Sequence, residues 1–139
     1  MEKVLVSACL LGINCKYDGT NNKNDKVLEY LKDKEVIPIC PEIMGGLPTP
    51  RIASEIKGDF VISKDQNDVT GNFQKGAEEV LYLAKLLGVE KALLKAKSPS
   101  CGVDEIYDGT FTHTKIVGDG VTTKLLKANG IEVFTELDL

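Results

Sequence analysis

Three cysteines are the residues of this chain whose type and placement most directly suggest chemistry. Cys9, Cys40 and Cys101 each come after a short apolar run with the composition of a buried β-strand. In an open parallel sheet, ligands bind outside the carboxyl ends of the strands. We therefore expect these three thiols, although distant along the chain, to meet at one edge of a sheet.

Thiols gathered at one place ionise together only if a cation offsets their mutual repulsion and the cost of removing them from water. That cation would be a metal or an iron-sulfur cluster. The nearest pair, Cys9 and Cys15, is six residues apart, which does not fit the paired spacing of structural zinc sites. It does not fit the closely spaced cysteines of ferredoxins either. If a cluster binds, its ligands come from separate strands.

The number of ligands matters as much as their placement. Three thiolates on a four-iron cluster would leave one iron without a protein ligand, and an open position is typical of catalytic metal sites. Cys15 could supply a fourth ligand, but it lies well past the end of its strand. Two other hypotheses stay open: a non-catalytic iron-sulfur or zinc protein that carries or senses sulfur, and a binding module whose cysteines only pack.

Acidic and hydroxyl side chains accompany two of the cysteines. Glu42 follows Cys40 by two residues, and a carboxylate beside a bound substrate is a natural general base for activating water. Ser98 and Ser100 lie just before Cys101 and could hydrogen-bond a substrate or a cluster sulfide. Neither serine has a histidine nearby in the sequence, which argues against serine-type covalent catalysis.

The single arginine and the single histidine are weaker candidates. The planar fork of Arg51 could tie down the Gly-Pro loop around it or bind a substrate oxygen, and we favour the structural role. His113 has threonine on both sides, which indicates an exposed turn or strand edge rather than a ligand or a base.

The elements that must position these residues alternate between strands and helices. Predicted strands span residues 3–8, 36–39, 91–96 and 131–135, with a small peripheral strand at 59–63. Predicted helices span 25–32 and 120–128, the latter followed by Gly130 in a left-handed conformation, and the clearest helix is capped by Thr70 and stops at Gly88. This alternation predicts an α/β fold: a Rossmann-like, mostly parallel sheet with helices on both faces, forming one domain over residues 1–139.

Two loops exceed the usual length of connections in a compact α/β domain. They span residues 41–58 and 98–118, at the carboxyl ends of predicted strands, and each begins beside one of the three cysteines. Long loops in such positions tend to be functional. We therefore expect them to enclose the site.

Composition restricts the class of partner. A net charge of −4 argues against binding a long nucleic acid, although transfer RNA is not excluded, and a small substrate fits better. No apolar run approaches the roughly 20 residues of a membrane helix, and the first residues do not form a signal peptide. We expect a cytoplasmic protein, in which the four cysteines stay reduced rather than forming structural disulfides.

Several short segments, in order along nearly the whole chain, resemble the thiouracil desulfidase family. They are Ser7-Ala8-Cys9-Leu10-Leu11-Gly12, Cys15-Lys16-Tyr17-Asp18-Gly19, Ile39-Cys40-Pro41-Glu42, Gly45-Gly46-Leu47-Pro48-Thr49-Pro50-Arg51, Lys97-Ser98-Pro99-Ser100-Cys101-Gly102, Ile106-Tyr107-Asp108-Gly109 and Gly118-Asp119-Gly120-Val121-Thr122.

The resemblance implies an enzyme that holds a 4Fe-4S cluster by Cys9, Cys40 and Cys101, with Glu42 as the catalytic carboxylate. It places a catalytic serine at Ser98 or Ser100 without distinguishing them. It further implies removal of sulfur from a thiolated pyrimidine, 2-thiouracil or a related thiobase or thionucleoside. From Lewis-acid chemistry we expect a non-redox reaction in which the open iron binds the thiocarbonyl sulfur and accepts the sulfide. Larger relatives carry a second domain and act on transfer RNA, so we expect a free thiolated base or nucleoside here.

Overall fold

A four-stranded sheet lies at the centre of the computed structural model, which describes residues Met1 to Leu139. In chain order the elements are β1 (Lys3–Ser7), a 3₁₀ turn (Ala8–Leu11), α1 (Asp25–Tyr30), a 3₁₀ turn (Leu31–Asp33), β2 (Glu35–Ile39), α2 (Pro41–Met44), β3 (Ser54–Lys57), β4 (Phe60–Ser63), α3 (Thr70–Leu87), β5 (Lys91–Leu94), β6 (Glu105–Tyr107), β7 (Lys115–Val117), α4 (Val121–Ala128), β8 (Glu132–Thr135) and a final 3₁₀ turn (Glu136–Asp138).

The central sheet has the strand order β2-β1-β5-β8, and each adjacent pair is parallel. Two antiparallel hairpins, β3–β4 and β6–β7, lie outside it. The predicted α/β class with a mostly parallel sheet is therefore confirmed. The peripheral strand predicted at 59–63 is the second half of the β3–β4 hairpin.

Helices cover both faces of the sheet, as predicted. Side chains alternate between faces along a strand, so Leu5 joins one core and its neighbours Val4 and Val6 join the other. On the first face, Val80 of α3 and Leu126 of α4 pack toward the sheet. On the second face, the partners are Val27 of α1 and Leu31. Burial on both faces explains why these strands are apolar throughout rather than alternating in polarity.

The ends of α3 correct one prediction and confirm another. The helix begins at Thr70 itself, and Val69 occupies the N-cap position without a side-chain hydrogen bond. The Thr70 hydroxyl instead accepts the backbone N–H of Val61 at 2.8 Å, so the predicted N-cap role of Thr70 is wrong. Gly88 ends the helix in a left-handed conformation with φ of 69°, as predicted.

The hairpin β6–β7 lies inside the segment 98–118 that the sequence indicated as a loop. Each of its strands has only three residues, and β7 is exposed throughout, so neither produces a hydrophobic pattern that sequence reasoning could use. Gly130, with φ of 80°, follows α4 in the predicted left-handed conformation. None of the helices is both long enough and apolar enough to cross a membrane.

Candidate functional site

The carboxyl ends of three parallel strands converge on one cavity of about 440 Å³. Cys9 lies in the 3₁₀ turn after β1, Cys40 is the N-cap of α2 after β2, and Cys101 lies on the loop after β5. All three thiols line the cavity, as does the buried Cys15. The structure thus brings together the residues that the sequence placed at separate strand ends.

A close contact between two helices sets the position of α2. A Cβ atom at Gly76 of α3 would lie 1.9 Å from the Pro41 carbonyl oxygen, and one at Gly45 would lie 2.0 Å from the Asn72 carbonyl oxygen. Only glycine allows the backbones to approach this closely. The contact holds α2 against α3, and α2 carries Glu42 into the cavity.

Each oxygen of the Glu42 carboxylate has its own partner. Oε1 accepts a hydrogen bond from Arg51 Nε at 2.9 Å, and Oε2 accepts one from the Ser100 hydroxyl at 3.0 Å. The ion pair is largely shielded from water, with the Arg51 side chain 6% exposed and that of Glu42 15% exposed. Two elements distant in the sequence therefore fix the carboxylate in one orientation.

Arg51 ties the Gly-Pro loop down, which is the structural role that the sequence favoured. Besides Glu42, its guanidinium donates to the carbonyl oxygen of Cys15 at 2.9 Å and to the Thr49 hydroxyl at 3.1 Å. It also donates to the Pro48 carbonyl oxygen at 3.3 Å. A single side chain thereby connects the loop after β2, the loop after β1 and the carboxylate.

The two serines have different environments, which the sequence spacing could not distinguish. Ser98 Oγ accepts the backbone N–H groups of Ser100 at 3.2 Å and Cys101 at 3.0 Å, and so shapes the turn. Ser100 Oγ donates to Glu42 and lies 3.5 Å from Cys101 Sγ. Because its proton is used in this way, the 3.0 Å contact between the hydroxyls has Ser98 as donor. The hydroxyls form a chain that ends at the carboxylate.

The N-terminus of α4 anchors the loop that carries Cys101. Val121 N–H donates to the Pro99 carbonyl oxygen, and Thr122 N–H donates to that of Ser100, both at 2.9 Å. The Thr123 hydroxyl donates to the Cys101 carbonyl oxygen at 2.9 Å. A Cβ atom at Gly120 would lie 2.4 Å from the Ser100 carbonyl carbon, so the approach requires glycine here too.

The ionisation of the thiols differs around the cavity. The hydrogen bond from the Cys15 thiol is the main reason that the pKa of Cys9 falls to about 7. The same thiol, helped by the Ile43 N–H and by Arg51, lowers the pKa of Cys40 to about 6. The interactions with Cys40 and with Cys9, together with burial, raise the pKa of Cys15 in turn, so Cys15 is the thiol of the three that keeps its proton.

Cys101 is the thiol that most needs a positive partner. Burial raises its pKa to about 12, although the Ser7 and Ser100 hydroxyls partly oppose that effect. Ser7 Oγ lies 3.4 Å from the sulfur. Such a thiol ionises when a cationic metal group binds it. Two readily ionised thiols and a buried third form a donor set that fits a thiolate-bound metal group.

A single metal ion fits this donor set poorly. No group of three or more His, Cys, Asp or Glu side chains is arranged to hold one ion. A 4Fe-4S cluster has four iron atoms and takes at most one protein thiolate on each, so its ligands need not converge on a single point. The all-thiol donor set and the absence of a group that could hold one ion therefore favour a cluster over the zinc site considered above.

Several residues that line the cavity could not be identified from the sequence. Ser7 contacts Cys101 and accepts the Lys95 N–H at 2.9 Å. In the sequence, nothing distinguishes Ser7 from the other residues of its strand. Tyr107, Phe111 and His113 also line the cavity, contributed by a hairpin that was not predicted. His113 is exposed, as the sequence indicated, and packs edge-on against Tyr107 with ring centroids 6.3 Å apart.

The chain is similar to known proteins in both sequence and structure. Residues 4–138 match the model of the family described as 2-thiouracil desulfurase. The chain belongs to that family. A solved structure of TudS, described as a 4Fe-4S-dependent thiouracil desulfidase, is 44% identical and superimposes with a TM-score of 0.94 over 100% of this chain and 93% of its own. The uncharacterized protein YbbK of Bacillus subtilis (strain 168) is 38% identical over 146 aligned residues, covering 98% of this chain and 97% of YbbK.

Proposed function

We propose that this member of the 2-thiouracil desulfurase family is a 4Fe-4S-dependent desulfidase that converts a thiolated pyrimidine, 2-thiouracil or a related thiobase or thionucleoside, into the oxo base. The observation that carries the proposal is the contact of Glu42 with Ser100, which in turn contacts Cys101, in a cavity with two further cluster-type thiols. The description of TudS as a 4Fe-4S-dependent thiouracil desulfidase supports the same assignment.

Cys9, Cys40 and Cys101 are the residues that would hold the cluster. When bound, the cluster supplies a Lewis-acidic iron without a protein ligand, which attracts the thiocarbonyl sulfur and makes the ring carbon electrophilic. Cys15 keeps its proton instead, and its single S–H can donate to either Cys9 or Cys40, which favours the thiolate form of that neighbour. This division of roles explains how four thiols share one cavity while only three serve as ligands.

Glu42 is the general base in this proposal. It takes one proton from a water molecule as the water oxygen bonds to the ring carbon. The second proton leaves that oxygen as the carbon–oxygen double bond forms and the carbon–sulfur bond breaks, so the products are the oxo base and hydrogen sulfide. The overall reaction is a hydrolysis, with no net change in oxidation state. Arg51 holds Oε1, so Oε2 is the oxygen that faces the Ser100 hydroxyl and the cavity. The Ser100 hydroxyl contacts both Glu42 Oε2 and Cys101 Sγ, so it is the group that can pass the proton taken by Glu42 on toward the leaving sulfur.

Anaerobic reconstitution with iron and sulfide, followed by incubation with 2-thiouracil, tests the proposal. We expect loss of the thiocarbonyl absorbance together with equal amounts of uracil and sulfide. Glu42→Gln should retain its iron and lose turnover by about 10²- to 10⁴-fold, the usual contribution of general base catalysis. Glu79→Gln, an exposed change on α3, is the matched control.

The possible results separate the competing functions. An intact cluster with unchanged 2-thiouracil would favour a sulfur carrier or sensor. Failure to take up any iron or sulfide would favour a simple binding module. Normal turnover by Glu42→Gln would retain the enzyme but remove Glu42 as its base.

A further inference from the structure

The desulfidase chemistry leaves one part of the cavity without a role. Tyr107, Phe111 and His113 line the cavity, and all three lie at or near the tip of the β6–β7 hairpin. We call these three side chains the aromatic wall. Another part of the cavity lining, here called the thiol wall, consists of the side chains of Glu42, Ser100 and the four cysteines. The aromatic wall contains no residue that the proposed reaction uses as ligand or base.

The backbone that presents the aromatic wall has an unusual conformation. Phe111 has φ of 59° and His113 has φ of 60°, which is the left-handed region that residues with a Cβ atom rarely adopt. Such conformations persist only where the surrounding structure determines them, and they cluster at functional sites. The contacts that determine this one come from another hairpin.

Glu55, on β3, supplies those contacts. Its Oε1 accepts the backbone N–H of Gly109 at 3.0 Å and that of Phe111 at 3.1 Å. A Cβ atom at Gly109 would lie 2.7 Å from Lys57 Cβ, so the loop approaches β3 as closely as glycine permits. Glu55 forms no ion pair within 4.0 Å, and the two N–H groups are the hydrogen-bond partners of its carboxylate. One side chain thus joins the two hairpins beside the cavity.

We propose that Glu55 is a positioning residue that holds Phe111 in the aromatic wall, where the phenyl ring recognises the planar ring of the substrate. The inference rests on the proposed function and adds the residues that select the substrate. Aromatic side chains bind the faces or edges of planar heterocycles through dispersion and quadrupole contacts, and every nucleobase offers such a surface. In this arrangement, the sulfur of a thiolated pyrimidine lies toward the thiol wall and its ring packs against the aromatic wall.

The test compares Glu55→Ala, Glu55→Gln and Phe111→Leu in the anaerobically reconstituted enzyme, with Glu79→Ala and Tyr82→Leu as matched exposed controls on α3. Glu55→Ala and Phe111→Leu should each raise KM for 2-thiouracil and the inhibition constant of uracil by about tenfold, the weaker end of base–aromatic stacking. The value of kcat should stay within about twofold, because the lost contacts are equal in ground and transition states.

Two further readouts separate recognition from a merely structural effect. Glu55→Gln keeps an acceptor oxygen, so its KM should stay within about threefold of wild type. In Glu55→Ala, the Gly109 and Phe111 amides should exchange with deuterium faster, while iron content and the visible cluster spectrum stay unchanged.

The outcomes distinguish the two proposals. If the wild-type enzyme turns over 2-thiouracil and the variants leave KM and the uracil inhibition constant unchanged, the recognition role is wrong and the desulfidase function stands. Equal falls in kcat and iron content would likewise overturn it, because they indicate damage to the thiol wall. If the reconstituted wild type neither turns over nor binds thiolated pyrimidines, both proposals fail.

Discussion

The thiol wall and the aromatic wall of the cavity are held in place by different means. The segment that carries Glu42 packs on α3 through glycines that leave no room for a side chain, and backbone hydrogen bonds join the segment that carries Cys101 to the N-terminus of α4. The aromatic wall lies on a short exposed hairpin that one carboxylate, Glu55, joins to its neighbour. Rigid support suits atoms that must stay within reacting distance, whereas a lighter attachment suits a surface that only recognises a ring.

Removing a cluster ligand from the thiol wall should have the largest effect. Cys9→Ala, Cys40→Ala and Cys101→Ala should each lose the cluster, measured as iron and labile sulfide after anaerobic reconstitution, and turnover should fall to background. Cys15→Ala should retain the cluster, because in the proposed assignment Cys15 keeps its proton and does not bind iron. A full iron complement in any of the first three variants would contradict the ligand assignment.

Next in size is the effect of separating α2 from α3. Gly76→Ala introduces a Cβ atom where the Pro41 carbonyl oxygen lies at 1.9 Å, so α2 must move and Glu42 must move with it. We expect a loss of about 3 kcal/mol in the free energy of unfolding, the upper range for overpacking. Denaturant unfolding measures it. Gly71→Ala is the control on the same helix, because a Cβ atom there meets nothing within 4 Å.

A smaller change keeps the positive charge beside Glu42 and alters only the geometry of the group that carries it. Arg51→Lys retains a cation but cannot reproduce the fork that joins Glu42, the Cys15 carbonyl oxygen and the Pro48–Thr49 turn. We expect kcat to fall by about tenfold, equivalent to about 1.4 kcal/mol of transition-state stabilisation, with KM and iron content little changed. Lys75→Arg, on the exposed side of α3, provides the control. An unchanged kcat would limit Arg51 to holding the loop.

The smallest expected effects come from two adjacent threonines of α4 that are both fully buried. Thr123→Val removes a hydroxyl that donates to the Cys101 carbonyl oxygen, and should lower stability by about 1 kcal/mol. Thr122→Val removes a buried hydroxyl that has no hydrogen-bond partner, and should raise stability by about 1 kcal/mol. Thermal unfolding of the two variants checks the opposite signs. Equal shifts would show that the two hydroxyls are energetically equivalent.

The thiol wall was more accessible to prediction from sequence than the aromatic wall. Strong apolar runs located the central strands, and the rule that ligands bind at their carboxyl ends brought Cys9, Cys40 and Glu42 to one place. The choice between Ser98 and Ser100 was beyond the sequence, because two hydroxyls two residues apart differ only in what they contact across the fold. Exposed three-residue strands carry no periodic pattern, so the hairpin that presents Phe111 was missed.

The first N–H groups of α4, which begins beside the Cys101 loop, are not free to bind a ligand. The free N–H groups at the start of a helix ordinarily form a ready site for an anion. Here those of Val121, Thr122 and Thr123 already donate to the carbonyl oxygens of Pro99 and Ser100. The N-terminus of α4 therefore has no amide to offer to a negatively charged ligand, and the positive end of this helix supports the Cys101 loop instead.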